Sequence, residues 1–492
     1  MTIVVSPAIP TRVRRIARAD LVLAVLLLAQ LVLRVLLYPR VQDVHYIGDE
    51  KAYVDAARAL SNLVRDVVGP TPVDLGEVRR NVVASGWFMP GMSVLLTPLL
   101  LVEPHASIPL VRGYLDVATG VLFLLAVLDV RRVLGPWYAV VLAVFGLVPM
   151  WLLFAATAYG DLTAGLVLVL LMTRLVAALR RVRLGTLAPL NGVGLGLLAI
   201  AVLYLRPSAM PLAIGLLLLL LLCAVWLSRG RARLRSVAAA LIAVAVFGAV
   251  LLPWSVLASQ TLGGRVLTTT SVPLGLGATF GDRDKRCFGP CDPDASLWYG
   301  PVRYGREVAR ATGRSEVTVQ QQAARYAMQD VTTGSYARDV LADFDRYLHE
   351  PAHYSVAYHP PGKSDDSVQR AVVTWTERMF RLLMLGGAAV LLLVRRRDFT
   401  DQALSVVAKV ALAGLLFQPF VHVSGARYWP TAAPVAALGL AMLGSALLAL
   451  RPGAAAPARV GDAAPVRLFT VLQACCAVTV VAVWVALHVL AG

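Results

Sequence analysis

The sequence predicts an all-α polytopic membrane protein of about eleven transmembrane helices, with juxtamembrane helices and one large extracytoplasmic loop. Three observations predict it. Of 492 residues, 58% are hydrophobic and 15% charged, with a mean hydropathy of +0.71. Apolar runs recur at the length that crosses roughly 30 Å of hydrocarbon, about 20 residues of helix. The arginines gather at the ends of those runs. In lipid the backbone must satisfy its own hydrogen bonds, so such runs are helices, and they are too long and too uniformly apolar for barrel strands.

The runs lie near 20–38, 107–129, 137–158, 162–179, 189–205, 208–227, 236–258, 378–394, 403–422, 429–450 and 468–490. The first follows a basic segment, Arg-Val-Arg-Arg-Ile-Ala-Arg over 12–18, and no small-residue cleavage site ends it. It reads as a signal anchor with a cytosolic N-terminus. With that orientation, Arg131/Arg132, Arg180/Arg181/Arg183, the run Arg229 to Arg235, Arg395/Arg396/Arg397 and the segment Arg451 to Arg467 all face the cytosol. All these loops then obey the positive-inside rule together. This placement also assigns the net charge of +17 to topology, so no nucleic-acid partner is expected.

Segment 90–102 is apolar but only thirteen residues long. If it crossed, every later arginine cluster would change sides, so it is expected to lie in the outer interface. The chain then divides into an N-terminal transmembrane module, 1–258, with a first outer loop, 39–106; an extracytoplasmic unit, 259–377; and C-terminal transmembrane helices, 378–492. Residues 303–350 show helical periodicity, and glycines 263, 264, 275, 277 and 281 mark a looped stretch before them. The expected location is the cytoplasmic membrane, with membrane lipids as surroundings.

Of five cysteines, Cys223, Cys475 and Cys476 lie in apolar runs. Cys287 and Cys291 share a polar loop; outside the cytosol they are expected to form a disulfide. No further ligands stand at zinc spacing.

Ionisable residues that topology does not explain are candidates for chemistry. The first loop carries His45-Tyr46-Ile47-Gly48-Asp49-Glu50, then Tyr53. Two adjacent carboxylates could act as a base or hold a metal, or Asp49 could cap the helix-like run after it. Asp161, after Tyr159-Gly160, has the same two readings, with capping the stronger. Arg206, before Pro207, and Arg427, before Tyr428, break the positive-inside pattern. A guanidinium there can bind a phosphate or simply reach the interface. Arg79, Arg80, Lys51 and Arg58 are ordinary loop residues. His422 ends an apolar run, and His349, His353 and His359 stand with Glu350 at irregular spacing.

The order of these signals resembles the membrane glycosyltransferases of the GT-C fold, among them protein O-mannosyltransferases, lipid A aminoarabinose transferases and uncharacterised actinobacterial members. The resemblance rests on Gly48-Asp49-Glu50 with Tyr53, Pro90-Gly91-Met92-Ser93-Val94-Leu95-Leu96, Asp161, Leu205-Arg206-Pro207-Ser208, Pro253-Trp254, and Arg427-Tyr428 with Pro430 and Pro434. It extends to about residue 440. It implies transfer of a sugar from a polyprenyl-phosphate donor to an acceptor hydroxyl on a glycan, lipid or protein, with inversion. Asp49 would be the general base, Glu50 would orient it or support a metal, and Asp161 would shape the same site. Arg206 and Arg427 would hold the phosphate, with Tyr428, Tyr53 and His45 also binding substrate. A divalent metal ion is the one cofactor left open, because metal use varies across this fold. The first loop lacks the phosphate-binding lysine some members carry; the resemblance implies that Arg79 or Arg80 would substitute for it. A transporter or flippase of lipid-linked sugars is the alternative; against it, no internal repeat is visible and the ionisable residues avoid mid-membrane.

Overall fold

The apolar runs fold as helices, and every regular element among the described residues of the computed structural model is helical. The structure describes residues 9–70, 72–282, 285, 299–349, 367–422, 428–450 and 466–492. Cys287, Cys291, His353, His359, Glu350 and Arg427 lie outside them.

In chain order the helices are α1 (Ile9–Leu37), α2 (Glu50–Val68), α3 (Leu75–Val78), α4 (Gly91–Val102), α5 (Ile108–Val133), α6 (Pro136–Phe145), α7 (Pro149–Ala155), α8 (Gly160–Arg183), α9 (Asn191–Leu205) and α10 (Met210–Trp226). There follow α11 (Gly230–Leu262), α12 (Ser271–Phe280), α13 (Tyr299–Thr312), α14 (Glu316–Ala327), α15 (Thr333–His349), α16 (Ser367–Leu392), α17 (Phe399–Leu415), α18 (Trp429–Ala449) and α19 (Arg467–Ala491). Eight segments among the described residues are long and apolar enough to cross a membrane, or nine if a bent pair counts as one. This is the architecture of a polytopic membrane protein. The expected spans at 189–205 and 378–394 fall on α9, which has 15 residues, and on α16.

Two expectations are corrected. The run 137–158 is not one helix: α6 and α7 meet at an 80° bend. Pro149 supplies no N–H there, and Gly146 sits where a side chain would overlap the Phe123 ring. The helix expected to begin at 378 begins at Ser367, so α16 carries Arg370, Glu377, Arg378 and Arg381 before its apolar part.

Helix α8 is the axis of the bundle. In its apolar window 83% of residues are buried, against 6% in α19 and 17% in the first span. It packs against α5, α9, α17 and α18. Charges buried in the bundle are paired or hydrogen-bonded, as lipid requires. Arg34 Nη1 meets Asp116 Oδ1 at 2.6 Å, and Arg395 grips Asp401 through two bonds of 2.8 and 2.9 Å. Lys409 donates to the carbonyls of Val390 and Leu393 at the end of α16.

The crossing of α16 on α18 depends on glycine. A Cβ at Gly386 would overlap the Ala436 carbonyl, and one at Gly439 the Gly386 carbonyl. Small residues let helix backbones approach in lipid. Gly386→Ala is expected to destabilise by about 1–3 kcal/mol, seen as a lower melting temperature in detergent. Gly387→Ala, whose Cβ would meet only Leu412 Cδ2 at 3.8 Å, should melt like the wild type. A shared shift in both variants would point to helix propensity rather than the crossing.

The polar segments also fold. Helix α4 is too short to cross, and it lies along α2 with Ser93 Oγ donating to the Tyr53 carbonyl at 3.0 Å. The described part of the periodic stretch, 303–349, becomes α13, α14 and α15, as its pattern predicts. Helix α12 packs on α14, and α15 on α19.

Candidate functional site

A pocket of about 360 Å³ opens where the starts of α2, α8, α10, α12 and α18 meet the ends of α9 and α17. Asp49, Tyr53, Asp161, Arg206, His422 and Tyr428 all line it. Residues more than 370 positions apart in the chain thus share one cavity.

Local sequence explains the convergence. Gly48 takes a left-handed conformation, φ +55°, and a Cβ there would stand 2.9 Å from the Tyr159 hydroxyl. That hydroxyl donates to the Ile47 carbonyl at 2.6 Å, tying the first loop to the start of α8. Asp49 then occupies the N-cap position of α2 without a side-chain bond to its first turn. A Cβ at Gly160 would overlap the Leu205 carbonyl, so glycine lets α8 begin against the end of α9. Asp161 and Arg206, the residues following each, are thereby brought together.

Arg206 is 8% exposed, and its guanidinium meets Asp161, Gln418 and Tyr428. Nη1 pairs with Asp161 Oδ1. Nη2 donates to Gln418 Oε1 at 2.6 Å. The guanidinium carbon lies 4.5 Å from the Tyr428 ring centre, a cation–π contact. His422 meets the same ring edge-on at 6.0 Å. Asp161 is therefore the counter-ion of Arg206 rather than a helix cap; no side-chain cap bond closes the start of α8. Its carbonyl accepts from Thr431 Oγ1 at 2.9 Å, which docks α18 against α8.

The opposite wall is aromatic and hydroxylic. Tyr53 and Phe88 pack with ring centres 5.2 Å apart, beside Trp87. Thr268, Thr269 and Ser271 face the pocket. Their strand of loop is pinned by Trp254 Nε1 donating to the Thr268 carbonyl at 2.6 Å and Thr270 Oγ1 donating to the Ser85 carbonyl at 2.8 Å. The Pro253-Trp254 pair thus acts on the pocket from behind.

Several expected site residues stand elsewhere. Glu50 does not line the pocket; it is fully buried against Arg112. Arg112 Nη1 donates to Oε1 at 3.2 Å and Nη2 to Oε2 at 3.1 Å. The amides of Ala158 and Ile47 donate to the same carboxylate at 2.8 and 2.9 Å. Every oxygen is consumed, so neither metal support nor contact with substrate is open to Glu50. The cause is helical geometry: successive residues at a helix start point about 100° apart, so Asp49 faces the pocket and Glu50 the core. His45 is exposed and away from the pocket, contributing only a carbonyl that accepts from Arg112. Arg80 faces Asp74 at 3.9 Å and Lys51 pairs with Asp55 at 2.6 Å. Among the described residues no three His, Cys, Asp or Glu side chains converge as a metal centre needs.

Gln418, Trp87 and Phe88 line the pocket and Arg112 is buried behind it against Glu50; the sequence reading passes over all four. A second cavity, about 740 Å³ and almost wholly apolar, lies between α15 and helices α16 to α19. Phe417 lines both cavities. Tyr347 lines the apolar one; burial pushes its phenol up to about 12, and the neighbouring Arg206 charge opposes that rise. Arg206 thus lines the polar pocket, and Phe417 is the wall that this pocket shares with the apolar cavity.

The fold and site define an all-helical membrane protein with a charged pocket at one end of its bundle. The chain matches no family model, no curated protein and no solved structure.

Proposed function

We propose that the chain is a membrane glycosyltransferase of the GT-C kind, moving a sugar from a polyprenyl-phosphate donor to an acceptor hydroxyl. The observation that carries this reading is the convergence of Asp49, Asp161, Arg206 and Tyr428 in one pocket that adjoins an apolar cavity. An amphiphile with an anionic head and a hydrocarbon tail fits that pair: the head at Arg206, the tail among Phe380, Leu383, Leu412 and Leu416. On this reading the chain crosses the cytoplasmic membrane eleven times, the N-terminus is cytosolic and the pocket faces away from the cytosol.

The chemistry then runs in one displacement. Asp49 takes the proton of the acceptor hydroxyl as its oxygen attacks the anomeric carbon. The bond from that carbon to the phosphate oxygen breaks, and polyprenyl phosphate leaves with its new negative charge against Arg206. Attack opposite the leaving group inverts the anomeric centre. A phosphate is a good leaving group once a cation holds it, so no acid catalyst is required. The sugar lies between Arg206 and the Tyr53, Trp87 and Phe88 wall.

The reading is tested with the full chain in nanodiscs and a radiolabelled polyprenyl-phosphate sugar. Wild type should bind the donor and pass label to lipid, glycan or protein acceptors in native membrane extract. Uptake across vesicles without transfer would instead identify a transporter. Arg206→Ala is expected to weaken donor binding by roughly 10–100-fold, from the loss of about 1.5–3 kcal/mol of charge-assisted hydrogen bonding. Because it strands Asp161, the double variant Arg206→Ala/Asp161→Asn serves as the folded control. Donor affinity unchanged in both would remove the phosphate role.

A further inference from the structure

We propose that Gln418 is a ligand-binding residue, its side-chain amide donating to a phosphate group held at Arg206. The inference rests on the reading of this pocket as an anionic-headgroup site and adds a neutral donor to it.

Gln418 opens a one-turn 3-10 segment, Gln418–Phe420, where α17 ends at the pocket. Its side chain is 7% exposed and lines the cavity. Oε1 accepts from Arg206 Nη2 at 2.6 Å and from Ser208 Oγ at 3.4 Å. A guanidinium carries donors only, so the amide atom facing it must be the oxygen. This settles the amide orientation, which geometry alone often leaves ambiguous. The nitrogen, bonded to the same carbon, therefore points away from Arg206 Nη2. Nε2 makes no hydrogen bond among the described residues, and it is not sealed from the pocket. A buried glutamine with its carbonyl engaged and its amino group facing a cavity is a donor awaiting a ligand.

The backbone of the segment is closed by its own hydrogen bonds. The Gln418 carbonyl accepts from the amides of Val421 and His422 at 2.9 and 3.0 Å, and Pro419 follows. The side chain is held through Oε1 by Arg206 and Ser208, which sets the direction of Nε2. A phosphate that accepts from Arg206 and from Nε2 together would be gripped by a charged and a neutral donor at once.

Charge and hydrogen bonding separate this role from a merely structural one. If Gln418 only anchors Arg206, Gln418→Glu should be tolerated, because a carboxylate accepts from a guanidinium better than an amide does. If Gln418 donates to phosphate, the same variant loses the donors and sets a like charge against the ligand. We would measure binding of polyprenyl phosphate to the full chain in phosphatidylcholine nanodiscs, with inorganic phosphate as a second probe. Gln418→Glu should melt at or above the wild-type temperature and bind polyprenyl phosphate at least about tenfold more weakly. Gln418→Met, which carries neither donor nor charge, should also weaken it about tenfold and covers the case in which the first variant does not fold. A parallel loss with inorganic phosphate assigns the contact to the phosphate itself; a loss with the lipid alone assigns it to a lipid-linked headgroup. Wild-type binding with either variant within about twofold of it overturns the role of Gln418 alone. Failure of the wild type to bind either probe overturns the anionic-site reading beneath it.

Discussion

Asp49→Asn is expected to yield a folded chain that binds donor normally and transfers sugar about 10²–10⁴-fold more slowly, the usual contribution of a positioned general base. Folding should be spared because asparagine is as good at a helix N-cap as aspartate, and Asp49 makes no side-chain bond to the first turn of α2. Asn keeps the shape and removes the basic oxygen, so the acceptor hydroxyl meets no proton acceptor there. Donor affinity should hold, since Arg206 and its partners are untouched. The contrast is Asp161→Asn. Asp161 faces Arg206 and is 1% exposed, so its loss should appear in donor affinity and melting temperature rather than mainly in turnover. Single-turnover rates and donor dissociation constants for both variants separate the two acids. A rate in Asp49→Asn within a few-fold of wild type would show that another group takes the proton.

The helices were legible where hydrophobicity alone decides them. Apolar runs such as 162–179 and 468–490 fold as α8 and α19 because lipid and backbone hydrogen bonding leave no other choice. The bend between α6 and α7 was not, because Gly146-Leu147-Val148-Pro149 keeps the run apolar throughout; only Pro149 hinted at a break. The start of α16 was hidden for the opposite reason. Arg370, Glu377, Arg378 and Arg381 read as loop, although their helix continues unbroken into the apolar part. At the site, Asp49, Asp161 and Arg206 were legible as charges that topology did not explain. Which of Asp49 and Glu50 faces the pocket depends on the rotation of α2 about its axis, and no local pattern fixes that. Arg112 had a signal that went unused: it begins an apolar run on the side that the positive-inside pattern leaves poor in arginine, as Arg206 does. Gln418 had none, since an uncharged residue ending an apolar run looks like any interfacial one.

The largest stability effect should come from that missed arginine. Arg112 and Glu50 are both completely buried, and together they bind three pieces of chain. Arg112 Nε and Nη2 donate to the Val44 carbonyl at 3.0 and 2.8 Å, Nη2 to the His45 carbonyl at 3.2 Å and Nη1 to the Ala156 carbonyl at 3.2 Å. Glu50 accepts from Ile47 and Ala158. The pair therefore clamps loop 44–50 to the turn before α8, and Asp49 and Asp161 stand on the two clamped segments. Removing one partner leaves an uncompensated buried charge, which costs about 3–5 kcal/mol. Arg112→Met and Glu50→Gln are each expected to lose stability on that scale in an SDS titration. The double variant should cost clearly less than the sum, because the second change removes the charge the first one stranded. It also leaves the Val44, His45 and Ala156 carbonyls without Arg112, so loop 44–50 loses its clamp. Where that variant still folds, spin labels on the two segments should report a broader distance distribution than wild type. Transfer should fall although Asp49, Asp161 and Arg206 are all present. Additive single-variant costs, or an unbroadened distance with full transfer, would show that the acids are held together by something other than this ion pair.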